Sequence, residues 1–278
     1  MSRTGSTAYQ APALDKGLDI LEFLAQAAVP QSQAQIAEGL GRGPQEIFRM
    51  LTRLHARGYL LRDESSGRYE LSLKLFQLGR THSPAEGLVR VARPVMRDLA
   101  EKIGQSCHLC VLEGGELLVI CHARSPLPVS LSVAEGSSFD PLATTSGKLL
   151  LGVLPPGEQR LMLARNRTWR NLTPPRRKIL RTCFDQAKMR HRLILESEMT
   201  PGVTDVAVLV GSPAGPVCAS LSVSCIGYTG HAIRRDRRLL AVALAAGRKI
   251  TDSIGTAVEP RVRYVLSREC GNASPSLK

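Results

Sequence analysis

At 278 residues the chain is long enough for two domains, and its 43% hydrophobic and 22% charged content is that of a globular protein, not a disordered or fibrous one. No apolar run reaches the roughly 18 residues a membrane helix needs, and the opening MSRTGSTAYQAPALDKGLDIL brings in acids before any long apolar run, so no signal core or membrane contact is expected and the cytoplasm is the expected compartment. Seven scattered cysteines argue against a disulfide framework, and the net charge of +13 suggests a polyanionic partner without locating it: residues 1–75 hold nine Lys/Arg against eight Asp/Glu, whereas Arg160 to Arg192 hold eleven against one, Asp185.

Residues 1–12 are small and polar and read as a flexible tail. A first helix is predicted over Ala13–Ala28, where Leu14, Leu18, Leu21, Ala25 and Ala28 recur at helical spacing before Pro30 ends it. Ser32 is a candidate N-cap for a short helix, Gln33–Leu40. Pro44 suits the first position of a third helix. There Ile47, Met50, Leu51 and Leu54 fall at i, i+3, i+4, i+7 and predict one buried stripe. At about 100° per residue, Gln45, Arg49, Thr52, Arg53 and Ala56 share the opposite face, with Glu46 at its edge. Gly58 closes the helix, and Tyr59–Asp63 and Arg68–Ser72 predict short strands around a turn at Glu64–Gly67.

Three helices and a hairpin in this order, over residues 13–75, describe a winged helix-turn-helix whose third helix suits the major groove of double-stranded DNA. Gln45 can pair bidentately with adenine and Arg49 with guanine, while Glu46 either accepts from cytosine N4 or orients a neighbouring Arg. Thr52 and Arg53 extend the same face, and Arg62 and Arg68 flank the wing within reach of phosphates. Between Arg42 and Arg68 six Arg stand against three acids. The alternative is a winged helix used only for protein contacts. Arg49 and Arg53, one turn apart and opposite the core stripe, favour DNA.

Residues 76–104 are predicted to form a linker helix, with the helical pattern running from Pro84 to Ile103. Leu88, Val91, Val95, Leu99 and Ile103 are spaced for packing, and Pro94 predicts a kink or break. This helix either carries a signal and dimerises, or packs on the domain that follows. Over residues 105–257 the predicted strands are Gln105–Leu112, Glu116–Ala123, Val129–Val133, Leu193–Glu196, Asp205–Val210 and Val217–Ser224. The predicted helices are Ser146–Val153, Pro156–Leu163, Pro175–His191 and Arg234–Ile254, the last burying Leu239, Ala243, Ala246, Ile250 and Ile254. Antiparallel strands with interspersed helices describe an α+β sensor domain. Residues 258–278 read as a second tail. The basic run Arg160–Arg192 is either a solvated helix face or a surface for flanking DNA or an acidic partner.

Ser220, Ser222 and Ser224 alternate with Leu221 and Val223, so their hydroxyls share one strand face. Gly211 to Gly215 reads as a hairpin turn, and a register symmetric about Pro213-Ala214 sets Asp205 opposite Ser222. Thr144 to Lys148 opens a helix, and its free N–H groups at Thr145, Ser146 and Gly147 can hold an anion or a ligand carbonyl. The result is one carboxylate among hydroxyls. A simple carboxylate ligand would be repelled by Asp205 unless a base or a proton neutralised it, and a ligand donating from a hydroxyl or amine would suit it better. The alternative for the serines is a solvent-facing sheet surface. Cys107 and Cys110, three apart on a strand, point to opposite faces, as do the adjacent Cys121 and His122. No metal site, cofactor or catalytic centre is expected. A cysteine-based redox regulator on the same scaffold, and a small-molecule enzyme in the C-terminal domain, are the alternatives.

ALDKGLDILEFLAQ, SQAQIAEGLG and EIFRMLTRLHARGYLLRDESSGRYELSLKLFQLG resemble the N-terminal domain of the IclR family of bacterial transcription regulators. LATTSGKLLLG, ESEMTPGVTDVAVLV and GPVCASLSVS resemble its C-terminal part, and together the segments cover about Leu14 to Gly255 in order. The resemblance implies a winged-helix domain joined by a linker helix to a GAF-like α/β effector domain. It implies a homodimer, or a dimer of dimers, on palindromic promoter DNA, and a small-molecule effector that is often a carboxylic or aromatic acid. Because members more often repress, a repressor is expected. Gln45 and Glu46 stand where the family carries a small hydroxyl pair, and Arg49 matches its basic position. Ser222 and Ser224 match hydroxyl positions that touch effectors, and Thr145 and Ser146 match a loop whose backbone does the same. Asp205 replaces a frequent Cys, Leu195 a frequent Asp, with Glu196 beside it as a candidate effector contact, and His191-Arg192 replaces a Gly-aromatic pair.

Overall fold

A computed structural model describes residues 11–27, 29–81, 85–215, 217–227 and 237–254 of the chain, which divides after Ser83 into two units. The expected tails lie outside the described residues, except that Pro12 already opens the first helix.

In the N-terminal unit α1 (Pro12–Ala27), α2 (Gln33–Gly39) and α3 (Pro44–Ala56) precede β1 (Leu60–Arg62) and β2 (Tyr69–Leu71). Ile20, Leu24, Ile36, Ala37, Ile47, Leu51, Leu60 and Tyr69 form the core, with Met50 and Leu54 at its margin. Gly43 and Pro44 start α3 where the pyrrolidine's missing N–H costs nothing. Ser32 begins α2 with a reciprocal capping box: its Oγ accepts from Gln35 N at 3.3 Å, and its N–H donates to Gln35 Oε1 at 2.9 Å. Ser32→Ala is expected to destabilise this unit by about 1 kcal/mol, read as roughly fivefold faster amide exchange in α2.

The wing is tied down at its base. Gln31 N donates to Tyr69 O at 2.9 Å and Tyr69 N to Gln31 O at 2.8 Å, adding a third strand-like partner beyond β2. At its tip Asp63 Oδ1 accepts from Ser65 Oγ, Ser66 N and Ser66 Oγ at 2.6–2.7 Å, which holds its carboxyl well below the usual range, and Gly67 turns the chain at φ 66°.

The helical pattern expected from Pro84 to Ile103 is present from Glu86, and another helix precedes it. Lys74–Thr81 forms α4, absent from the sequence reading, and Glu86–Ile103 forms α5, with residues 82–84 outside the described set. No break appears at Pro94: α5 runs through it and buries Leu88, Ala92, Val95, Met96, Leu99 and Ala100. This helix packs into the core of the C-terminal unit.

That unit is built on a six-stranded antiparallel sheet in the order β5-β4-β3-β8-β7-β6. Its strands are β3 (Ser106–Glu113), β4 (Glu116–Ala123), β5 (Ser138–Phe139), β6 (Arg192–Glu196), β7 (Val203–Gly211) and β8 (Cys218–Ile226). α5 and α10 (Arg237–Ile254) cover one face. The other is covered by α6 (Thr145–Val153) and α9 (Pro174–Arg190), with α7 (Pro156–Arg165) and the short α8 (Arg167–Asn171) beside them. All five residues predicted for the α10 stripe are buried. The start of that prediction, Arg234 to Asp236, lies outside the described residues.

Three expectations are corrected. Val129–Val133 is irregular; the edge of the sheet is the two-residue β5, which pairs Leu117 with Phe139. The β7–β8 register is shifted by two, with Asp205 opposite Ser224 and Ala207 opposite Ser222, because the turn spans Ser212 to Val217. A shift of two keeps every side chain on its face. The serine face is not solvent-exposed: Ser220, Ser222 and Ser224 are buried on the side that α6 covers.

Candidate functional site

On α3 the stripe of Ile47 and Leu51 is fully buried, so the opposite face is exposed: Gln45, Glu46, Arg49, Thr52 and Arg53 all reach solvent. They differ in what already engages them. Glu46 accepts from Lys16 Nζ at 2.6 Å and Arg42 Nη1 at 3.3 Å, and Arg42 Nη2 donates to Asp19 Oδ2 at 2.7 Å. The hydrogen bond from Lys16 holds the Glu46 carboxyl below the usual range. Glu46 therefore ties the start of α3 to α1, and the Arg it engages is Arg42, not Arg49 or Arg53. The Thr52 hydroxyl donates to Phe48 O at 2.9 Å. Among the described residues no carboxylate lies within ion-pair distance of Arg49 or Arg53, which leaves both guanidinium groups available to an external anion.

The two wing arginines also part. Arg62 lies exposed with its guanidinium 5.7 Å from the centre of the Tyr69 ring. Arg68 donates to Pro30 O at 3.1 Å and Gln35 Oε1 at 3.2 Å, a tie between wing and α2 that leaves it less free for phosphate.

In the C-terminal unit a cavity of about 170 Å³ opens between the sheet, the start of α6 and the 197–203 segment. Its apolar wall includes Leu117, Val119, Leu131, Val133 and Phe139. Its polar wall includes His108 from β3, Thr145 and Ser146 from α6, Asp205 from β7, and Ser222 and Ser224 from β8. Antiparallel pairing brings these together: His108 is opposite Ser222, and Asp205 opposite Ser224.

Asp205 Oδ1 accepts from Ser224 Oγ at 2.7 Å, and Oδ2 from Thr145 Oγ1 at 3.4 Å. Burial raises its pKa above the ordinary carboxylate value, against these two hydrogen bonds and the charge of Lys148. Lys148, 4% exposed, donates to Glu198 Oε1 at 2.5 Å. Burial pushes the His108 imidazole down to about 4, with His122 beside it acting in the same direction, so His108 is neutral at neutral pH. Ser220 donates to Ser146 Oγ at 3.1 Å, whereas Ser222 Oγ is buried with no partner among the described residues.

Two predicted contacts lie elsewhere. Gly147 does not line the cavity: its N–H donates to Thr144 Oγ1 at 3.0 Å as part of the helix cap. The amides of Thr145 and Ser146 are then the first-turn donors without an intrahelical acceptor. Glu196 pairs with Thr204 and is exposed, while its neighbour Leu195 pairs with Asp205. Strand alternation puts Glu196 on the opposite sheet face from Asp205. The sequence reading missed His108, Leu117, Val119, Phe139, Met199 and the Lys148–Glu198 pair. Only His108 carried a signal, through its two-residue spacing from Cys110 on the same face.

Neither cysteine pairing singled out in the sequence is brought together, although Cys107 and Cys121 share one core. Cys107 is in the core under α5 and α10, Cys110 in the core on the other sheet face, and Cys121 is in the first core while its neighbour His122 faces away. Burial pushes Cys107 up to about 12 and Cys121 to about 11, so neither is a thiolate at neutral pH. These protonated, enclosed thiols do not favour the redox or the thiol-enzyme reading.

Residues 13–64 match the model of the IclR helix-turn-helix domain, and residues 84–252 that of the bacterial transcriptional regulator IclR C-terminal domain. The chain is 30% identical over 236 residues to the HTH-type transcriptional regulator BhcR of Paracoccus denitrificans, covering 83% of this chain and 82% of BhcR. It is 25% identical over 244 residues to the Pca regulon regulatory protein of Pseudomonas putida, covering 85% and 82%. Its fold is similar to that of an IclR homolog from Microbacterium hydrocarbonoxydans in complex with 4-hydroxybenzoate, with a TM-score of 0.73 and 20% identity over 88% of this chain and 99% of that one.

Proposed function

Because the chain belongs to the IclR family of bacterial transcriptional regulators, we propose that it is a cytoplasmic, ligand-responsive repressor. In this reading α3 reads promoter DNA, and the cavity beside Asp205 and Ser222 takes a small organic effector. The observation that carries it is the exposed α3 face, where Arg49 and Arg53 have no carboxylate partner among the described residues and sit opposite a fully buried stripe. That is what a groove-reading helix requires. Gln45 and Arg49 are the proposed base contacts, with Thr52, Arg53 and Arg62 on the backbone, and Glu46 and Arg68 hold the reading elements in place.

The protein acts as a homodimer or a dimer of dimers. Leu14 and Leu18 on α1, with Leu75, Phe76 and Leu78 on α4, are exposed large apolar side chains on a single small unit. Such a surface fits burial against a second copy. Regulation is linkage: an effector that binds one conformer better shifts the population in which two DNA-reading helices match the half-site spacing. The homolog bound to 4-hydroxybenzoate supports an effector of one aromatic ring. Whether that effector is itself a simple acid depends on how it meets Asp205.

The test is footprinting of the full chain on its own upstream DNA, followed by a thermal-shift panel of small organic compounds. A protected palindrome that is released by a compound that also raises Tm is expected. Absence of any protected site would remove α3 as a DNA reader.

A further inference from the structure

We infer that the cavity takes a one-ring ligand whose hydroxyl or amino group donates to Asp205, and that it rejects a ligand carboxylate at that position. This rests on the cavity being the effector site, as proposed above.

Size sets the ring count. A cavity of about 150 Å³ is known to take benzene, and this one, at about 170 Å³, has room for one six-membered ring and a small substituent. Leu117, Val119 and Phe139 supply an apolar wall for the ring.

Polarity sets the substituent. An ionised carboxylate has room for about four hydrogen bonds, and Asp205 receives two from the protein, one of them long at 3.4 Å. On the same face of the sheet Ser222 Oγ, on a residue 1% exposed, has no partner among the described residues, and a buried polar atom left alone is costly. A hydroxyl between them can donate to Asp205 and accept from Ser222; an amine can donate to both oxygens. A carboxylate can do neither at Asp205. Among the described residues no Lys or Arg lines the cavity, the nearby Lys148 is engaged by Glu198, and His108 is neutral. Two carboxylates would share a poorly screened space whose one nearby cation, Lys148, is already engaged by Glu198.

The test is calorimetric titration of the full chain at neutral pH with benzyl alcohol, benzylamine and benzoate, which are similar in size and differ in the group offered. The two donors are expected to bind at least about tenfold tighter than benzoate. Asp205→Asn should weaken benzylamine by about tenfold or more and bring benzoate level with benzyl alcohol. Benzoate binding as tightly as the donors, no binding by any of the three, or an Asp205→Asn variant with unchanged preferences overturns the inference. Met199→Trp, at a half-exposed position of the cavity wall, separates the two readings, with thermal melts of both variants confirming folding. If it blocks all probes while the wild type prefers benzoate, the site stands and the ligand class falls. If it blocks none, the probes bind elsewhere and both fall.

Discussion

Replacing Gly147 with alanine is expected to destabilise the C-terminal unit by about 3 kcal/mol, the upper end of ordinary overpacking costs. A Cβ at this position would sit 2.2 Å from the carbonyl oxygen of Pro141, 2.4 Å from its Cα and 2.6 Å from its carbonyl carbon. All three are backbone atoms of a residue whose ring fixes φ, so no rotamer change relieves the clash. The shift should appear as a loss of roughly 6–12 °C in Tm, at about 2–4 °C per kcal/mol for a unit of this size. Trp169 is the one tryptophan of the chain and sits 6.3 Å from Phe184 in this unit, so its fluorescence reports the transition. Gly17→Ala is the control: nothing lies within 4 Å of its Cβ, and helix propensity alone should make it neutral or stabilising by up to about 1 kcal/mol. A Gly147→Ala protein that melts like the wild type but loses its effector response would return Gly147 to the ligand site.

Replacing Arg49 with alanine is expected to lower affinity for the footprinted promoter by about 1–3 kcal/mol, roughly ten- to over a hundredfold, with a smaller loss on unrelated DNA. Arg49 is exposed opposite the core stripe, and no protein carboxylate competes for it among the described residues. Arg53, one turn on, is expected to act on phosphate. Arg53→Ala should weaken all DNA alike and reduce the salt slope by about one. Arg68→Ala provides the contrast, because its guanidinium holds Pro30 O and Gln35. That variant should loosen the wing without a matching change in salt slope. Titration at several salt concentrations distinguishes the three. An Arg49→Ala protein with undiminished promoter affinity would show that another face of the molecule reads the bases.

Periodicity made the long elements legible. The α3 stripe and the α10 stripe each need one face apolar over several turns, and such a pattern has few competing explanations. Glu116–Ala123 was read to the residue because Gly114-Gly115 punctuates its start. What failed was shorter or non-local. α4 and α8 have eight and five residues, too few to nucleate on propensity alone, so the surrounding fold decides them. The β7–β8 register depends on how many residues the turn absorbs, which Pro213-Ala214 suggested wrongly. In the cavity, the alternation of Ser220, Ser222 and Ser224 was visible. That α6 would bury that face, that Glu196 would point the other way, and that Gly147 is small to clear Pro141 are facts of packing between distant segments.

The double backbone tie between Gln31 and Tyr69, reinforced by Arg68, also bears on the thermodynamics of association. An arm that orders only on contact loses conformational entropy at that moment and buries new surface, giving a large negative heat-capacity change. Here the base of the arm is already held, and Asp63 with its two serines fixes the tip. Duplex association should therefore proceed as near rigid-body docking, with a modest heat-capacity change and little of the interaction energy diverted into ordering the protein.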